Sequence, residues 1–459
     1  MTLRKLLSSR LRINMASSFA ATILNVAVTG ISYPLYLHFL GYEKYGVWLV
    51  LATIITFVQL TNLGIGTAVM KLVAEEHGKN NPQGVQRYVT TAMATLVVAA
   101  LPALLVLWCC TTRIIALFNL QGANAAAAAG LLPYMGILSV YVFVVQVFGA
   151  TLSGLGRMDL ANYADSAGRI VALCISVVLL SRGRGIESLF ISSALSYVLV
   201  HALLTCLIKK CGAYRFFSLD NLDRAALKGL LRFGSGVFGS SIVSMLLGPF
   251  NKLVITRWVG VSSVPIYEIA FNGSMQIRSL LEAVFRALSP EVSRLSASNE
   301  AGSLGRMRDI DRRALKIILR FGAPFWLLII IFAAPLLKLW LGARFVPALP
   351  AVFQILMVGT FLGLLGVPSF YILMGLGKTK EIFIHNVIQS GINAVLVSLM
   401  VLLNLELSIT RIALAVILGV GGAIVYLIVK KKQQLAERST LKLPRVEFAG
   451  LPARKSKEA

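Results

Sequence analysis

Apolar runs about twenty residues long recur from one end of the chain to the other, and no other feature restricts the fold so tightly. Twelve can be drawn, at residues 16–40, 47–70, 89–110, 128–152, 161–180, 189–208, 237–259, 265–288, 321–341, 351–374, 382–403 and 412–429. As a helix, such a run crosses the ~30 Å hydrocarbon layer of a bilayer. Only helices and closed barrels satisfy their backbone hydrogen bonds in lipid, and runs this long are helices. Composition agrees: 57% of the 459 residues are hydrophobic and 14% charged, whereas a soluble domain is about half apolar and a quarter charged. An all-α polytopic membrane protein of twelve spans is expected.

The opening segment, MTLRKLLSSRLRIN, is basic and leads into an apolar run too long for the core of a signal peptide. It is read as an uncleaved first span. Five cysteines, Cys109, Cys110, Cys174, Cys206 and Cys211, sit in or beside apolar segments with no C-x-x-C spacing. They indicate neither a disulfide framework nor a metal site.

Charge placement orients the chain. With the N-terminus in the cytoplasm, 32 of the 44 Lys and Arg fall in inside segments, 8 in outside links and four within spans. That bias follows the positive-inside rule. The net charge of +25 therefore reports topology and attraction to anionic lipid, and no nucleic-acid partner is expected. Both termini are placed in the cytoplasm.

Two halves resemble each other. LSGLGR at 152–157 recurs as LMGLGK at 373–378, IIALF at 114–118 as LLKLW at 336–340, and FLG at 39–41 as WVG at 258–260, all at offsets of 219 to 222. Six spans per half give both halves the same orientation, related by an axis along the membrane normal, as in transporters that rock two lobes about a midplane site. The expected organisation is an N-terminal lobe at 1–208, a cytoplasmic linker at 209–236, a C-terminal lobe at 237–429 and a basic cytoplasmic tail without fixed structure at 430–459.

Two nucleotide-like motifs do not hold. Gly234–Gly239 reads GSGVFG, matching G-x-G-x-x-G, but opens a membrane helix where the dinucleotide reading needs a preceding strand. Small residues there serve helix packing. The GLGKT at 375–379 lacks the first glycine of a phosphate loop, having Ile372 in its place. No cofactor is expected.

The chemistry lies in charges buried within spans. In residues 277–291, IRSLLEAVFRALSPE, Arg278, Glu282 and Arg286 share one helical face at spacing four. Facing lipid, a central Arg costs roughly 2.5–3.5 kcal/mol on insertion scales, so the face is expected to line a cavity; Arg286 also has the option of snorkelling to the surface. Asp165 and Arg169 repeat the spacing in span five, with a self-neutralised structural pair as the alternative. Lys252 follows Pro249, which should kink span seven, and either enters the cavity or snorkels outward. Glu268 begins span eight as a functional carboxylate or an interfacial one. His385, Gln389 and Asn393 form a polar stripe on span eleven that suits sugars or neighbouring helices. Pro34 and Pro368 mark bends.

HFLGYEKYGVWLVLATI at 38–54, TNLGIG at 61–66 with AVMKLVAEE after it, LWLGARF at 339–345 and the GLGK turn at 375–378 resemble the polysaccharide transporter family. These are the O-antigen and exopolysaccharide flippases of the superfamily that also holds the multidrug and toxin extrusion (MATE) transporters and the peptidoglycan-lipid flippase. The resemblance covers residues 10 to 430. It implies a MATE-like two-lobed bundle whose cation-lined cavity moves undecaprenyl-pyrophosphate-linked oligosaccharide from the inner to the outer leaflet of the cytoplasmic membrane. Glycosyltransferases and a polymerase of the same pathway are the implied protein partners. Where relatives often have Asp, this chain has Asn62 and Asn251, which weakens any carboxylate coupling there.

The physics of such a substrate fits. Its sugar head needs a polar cavity, its diphosphate needs Arg or Lys, and its tail can stay in the bilayer through a gap between lobes. Arg169 and Arg278 are expected to face each other across that cavity, with Lys252 nearer the exit. An ion-coupled drug or cation antiporter is the first alternative, favouring an anionic cavity. A membrane polysaccharide polymerase or ligase is the second; its sizeable outer loop has no counterpart in the longest outer link, Thr111 to Ala127, whose only charge is Arg113. No catalytic residue is expected.

Overall fold

The computed structural model describes residues 9–59, 64–212, 219–285, 292, 295 and 303–440. Among the described residues there are fifteen α-helices: α1 Ser9–Gln59, α2 Ile65–Gly78, α3 Pro82–Cys109, α4 Thr111–Leu117, α5 Gly122–Gly154, α6 Met158–Ser181, α7 Glu187–Cys211, α8 Arg224–Val254, α9 Val264–Phe285, α10 Ser303–Ile317, α11 Ala323–Ile331, α12 Ala333–Leu341, α13 Ala348–Gly375, α14 Thr379–Leu402 and α15 Ile409–Thr440. Phe19, Val98, Leu105, Trp108, Phe321 and Leu339 stand exposed among many other large apolar side chains. In water such a surface would be an association site; in a bilayer it is the lipid-facing girdle.

Among the described residues, nine helices are long and apolar enough to cross a membrane, against twelve expected. Two parts of the difference, in α1 and in α9, have a physical origin. The first two expected spans form one helical run, α1, turned at Gly41 where φ is +67°, and α8 and α9 are not among the nine. Along α9 the apolar run is broken by Glu268, Asn272, Gln276, Arg278 and Glu282. The second expected span, 47–70, is also interrupted at Gly64, whose φ is +70° and after which α2 starts.

Two expected links contain helix. Asp223 caps α8, its carboxylate accepting from the Ala225 amide at 2.9 Å, so α8 begins well inside the expected linker. Within 289–320, α10 runs through a π-helical turn at Ile318–Gly322 into α11. The expected unstructured tail is corrected for its first part, because α15 continues through Thr440. Lys431 there is buried against Asp311 of α10 at 2.7 Å, which anchors the extension. Residues 441–459 lie outside the described part.

The repeated GLG turns have matching geometry. After α5, the amides of Leu155, Gly156 and Arg157 donate to Thr151, Ser153 and Leu152 at 2.9, 3.0 and 3.0 Å. After α13, Leu376, Gly377 and Lys378 donate to Ile372, Met374 and Leu373 at 2.9, 3.0 and 2.9 Å. Gly156 and Gly377 have φ of +79° and +72°, the left-handed value that a helix-ending turn of this kind requires and glycine supplies without strain. GSGVFG at 234–239 lies within α8, which removes the strand its nucleotide reading needs.

Candidate functional site

The charged face of α9 points into the second half of the bundle. Arg278 and Glu282, one turn apart, pair at 3.3 Å with side chains about a quarter exposed. They line a polar chamber of about 150 Å³ with His385, Asn386 and Gln389 of α14. Gly363 and Gly366 of α13 form its opposite wall. A Cβ on Gly363 would lie 2.6 Å from a terminal nitrogen of Arg278, so the missing side chain makes room for the guanidinium. Tyr371 donates to Glu282 at 3.3 Å. His385 Nδ1 lies 3.1 Å from the Ala423 carbonyl; a ring N–H there leaves Nε2 as the second polar atom of the imidazole.

The opposite side of α9 is apolar. Ile269, Gly273, Ile277 and Leu280 form one wall of a groove of about 380 Å³, closed by Val26 and Tyr33 of α1 and by Leu336 and Trp340 of α12. Leu280 and Leu336 are exposed, so the groove opens towards lipid. A single helix thus separates a charged chamber from a greasy groove between the halves.

Higher on α9 lies a buried polar chain. Lys252 Nζ is 2.7 Å from Glu268, with side chains 15% and 12% exposed. Asn272 donates both to Glu268 at 2.9 Å and to the Tyr33 hydroxyl of α1 at 2.9 Å. The charge on Lys252 is therefore neutralised in place. Asn251, one residue earlier, is fully buried and donates to Tyr267 at 3.0 Å.

Arg169 sits elsewhere. It pairs with Asp165 at 3.4 Å, both well exposed, and donates to Asn25 of α1 at 2.9 Å. It lines neither the chamber nor the groove, whereas Arg278 lines the chamber. Asn393 is fully buried on α14, and neither polar atom of its side chain meets a partner among the described residues. Arg286 and Asn62 lie outside the described residues.

The bundle is sealed at the end that carries α4. Arg257 donates to the Ala116 and Leu117 carbonyls at 3.2 and 3.0 Å, the negative end of a short helix. Arg344 donates to the His38 carbonyl at 2.9 Å, and Tyr42 donates to the Arg344 carbonyl at 2.7 Å. Gly46 abuts the Val261 carbonyl, 2.2 Å from where a Cβ would stand. Each contact joins the first half of the chain to the second.

Sequence periodicity found the chamber's residues on α9 and α14 but missed Tyr371, Tyr33, Asn272 and Trp340. Asn272 follows Glu268 at i+4, and that spacing is the one signal that could have found it.

The model of a polysaccharide biosynthesis protein family matches residues 11–296. A putative O-antigen transporter of Shigella flexneri is 19% identical over 74% of this chain and 79% of the relative. A probable multidrug resistance protein NorM of Pseudomonas putida is 28% identical over 65% and 66%. Among solved structures, an inward-facing multidrug resistance MATE family transporter of the MOP superfamily aligns with a TM-score of 0.68 at 16% identity, covering 95% of this chain and 99% of that one. The lipid II flippase MurJ in an inward closed conformation aligns with a TM-score of 0.68 at 15% identity, covering 93% and 90%.

Proposed function

The chain belongs to the polysaccharide biosynthesis protein family, as a polysaccharide transporter of the MOP superfamily, and from that premise we propose that it flips undecaprenyl-pyrophosphate-linked oligosaccharide from the inner to the outer leaflet for O-antigen or exopolysaccharide synthesis. In this reading twelve spans form two six-helix lobes, at 1–208 and 237–429, with both termini in the cytoplasm. The sealed α4 end then faces outward, and the lobes rock to expose the site to each side in turn.

One observation carries the reading: α9 presents Arg278 to a polar chamber on one side and an apolar wall to a lipid-facing groove on the other. An amphiphile with a charged head and a long apolar tail needs both at once. Guanidinium groups suit a diphosphate because they donate two parallel hydrogen bonds to its oxygens. Arg278 is assigned to the diphosphate in the chamber, and Arg169, which lies outside it here, is assigned to it from the first lobe only once the lobes have rearranged. Lys252 joins them only when its pairing with Glu268 opens. At about 150 Å³, and lined wholly by the second half, the chamber admits the phosphate end and not a glycan, so the sugar has to pass outside it, between the parted lobes. Asp165, Glu268, Glu282, His385, Gln389 and Asn393 are the candidates for sugar contact or ion coupling, and Arg286 is a further cation on the same face.

A drug antiporter is the second reading. The groove of about 380 Å³ falls within the ~300–1,000 Å³ of sites for drug-sized ligands, and NorM is among the relatives. Deleting the gene separates the two. Loss of surface polysaccharide, restored by wild type but not by Arg278→Ala present at equal level in the membrane, supports flipping. Intact polysaccharide with heightened drug sensitivity supports the antiporter.

A further inference from the structure

Proline inside a helix leaves the carbonyl four residues earlier without its amide partner. Pro34 lies within α1, so the carbonyl deprived is that of Gly30. It is not left empty. The indole Nε1 of Trp340, on α12 in the other half of the chain, donates to it at 2.9 Å. Tyr33, beside the proline, stands edge-on to the same indole at 6.2 Å and 87°, and its hydroxyl accepts from Asn272. Further along, Arg344 donates to the His38 carbonyl. One short stretch, Trp340 to Arg344, therefore holds α1 on both sides of Pro34.

We propose that the carbonyl released by Pro34 is a socket and Trp340 its plug, a latch that holds the two halves together at the α4 end and comes undone when that end opens. The physical reason is an asymmetry between states. A buried carbonyl without a donor is destabilising, while the same carbonyl facing water is satisfied. Here the indole fills it, in a groove that faces lipid and not water; in an open state water can. The bond is neutral and single, so it biases the equilibrium without freezing it. The transport reading enters only by requiring a second conformation, and the test measures conformation rather than transport.

The cycle uses a background with all five cysteines replaced by serine and Tyr45→Cys added. Tyr45 is 4% exposed, with its ring 6.3 Å from that of Tyr33. A membrane-impermeant maleimide is applied to right-side-out and to inverted vesicles. Trp340→Phe keeps the ring but removes the donor, and labelling from the α4 side is expected to rise roughly tenfold, the scale of one unmet buried carbonyl. Pro34→Ala is expected to do the same, because the helix now fills the socket and the indole N–H is stranded. In the double variant carbonyl and amide satisfy each other, and labelling should return to within about threefold of the parent. Trp340→His, which keeps a ring N–H, should label like the parent, and it remains informative should Trp340→Phe fail to accumulate. Unchanged labelling in both single variants, or rises that add in the double, would overturn the latch.

Discussion

Replacing Lys252 by Met removes one partner of an ion pair whose side chains are 15% and 12% exposed. Glu268 would keep its hydrogen bond from Asn272 at 2.9 Å but lose its counter-charge. Breaking a buried pair in this way costs about 3–5 kcal/mol, whereas replacing both partners with neutral groups of similar shape is often close to neutral. Lys252→Met should therefore lower stability by about 3–5 kcal/mol, and Lys252→Met with Glu268→Gln should recover most of it. Reversible unfolding of the purified protein in mixed micelles, scored as a double-mutant cycle, measures the coupling directly. If the double variant is as unstable as the sum of the singles, Lys252 and Glu268 are not coupled, and Lys252 returns as a free cavity cation.

Three further outcomes follow from close contacts. Gly363→Ala places a Cβ 2.6 Å from a terminal nitrogen of Arg278; the guanidinium can swing aside, so stability should hold while polysaccharide export falls, and unchanged export would count against the chamber. Gly46→Ala meets the Val261 backbone carbonyl at 2.2 Å, which cannot swing aside, so the seal should loosen at about 1–3 kcal/mol, read as a drop in thermal midpoint together with faster maleimide labelling at the α4 end. The hydrogen bond from Lys79 holds the Glu76 carboxylate below its ordinary range. Its contribution is present above the unfolded pKa and lost as pH falls through the depressed folded value, so a thermal-stability profile should lose part of its acid limb in Glu76→Gln and keep it if the pair does nothing.

The membrane class could be read from the apolar runs alone, because the length of a span is fixed by the bilayer. The i+4 charge pairs were equally legible: Arg278–Glu282 and Arg169–Asp165 formed at 3.3 and 3.4 Å, since helical spacing alone brings them together. Pairings between helices were not legible. Lys252 and Glu268 lie on different helices, and no local pattern couples them, so each was expected to act by itself. The same holds for Trp340. Its role depends on a carbonyl that a proline rule identifies from sequence, while the donor that fills it is set only by how the halves pack. Arg169 and Arg278 occupy separate surroundings, because which helices stand opposite one another is set by a packing of the halves that one helix's periodicity does not encode.

The most direct measurement is leaflet translocation in proteoliposomes. A fluorescent polyprenyl-diphosphate oligosaccharide, placed in one leaflet, is followed by its accessibility to an impermeant quencher. Wild-type protein should move it well above the rate of protein-free vesicles, and Arg278→Ala should not. Movement by Arg278→Ala at the wild-type rate, or none by the wild-type protein under an imposed proton or sodium gradient, would contradict the assignment of α9 as the wall between head and tail.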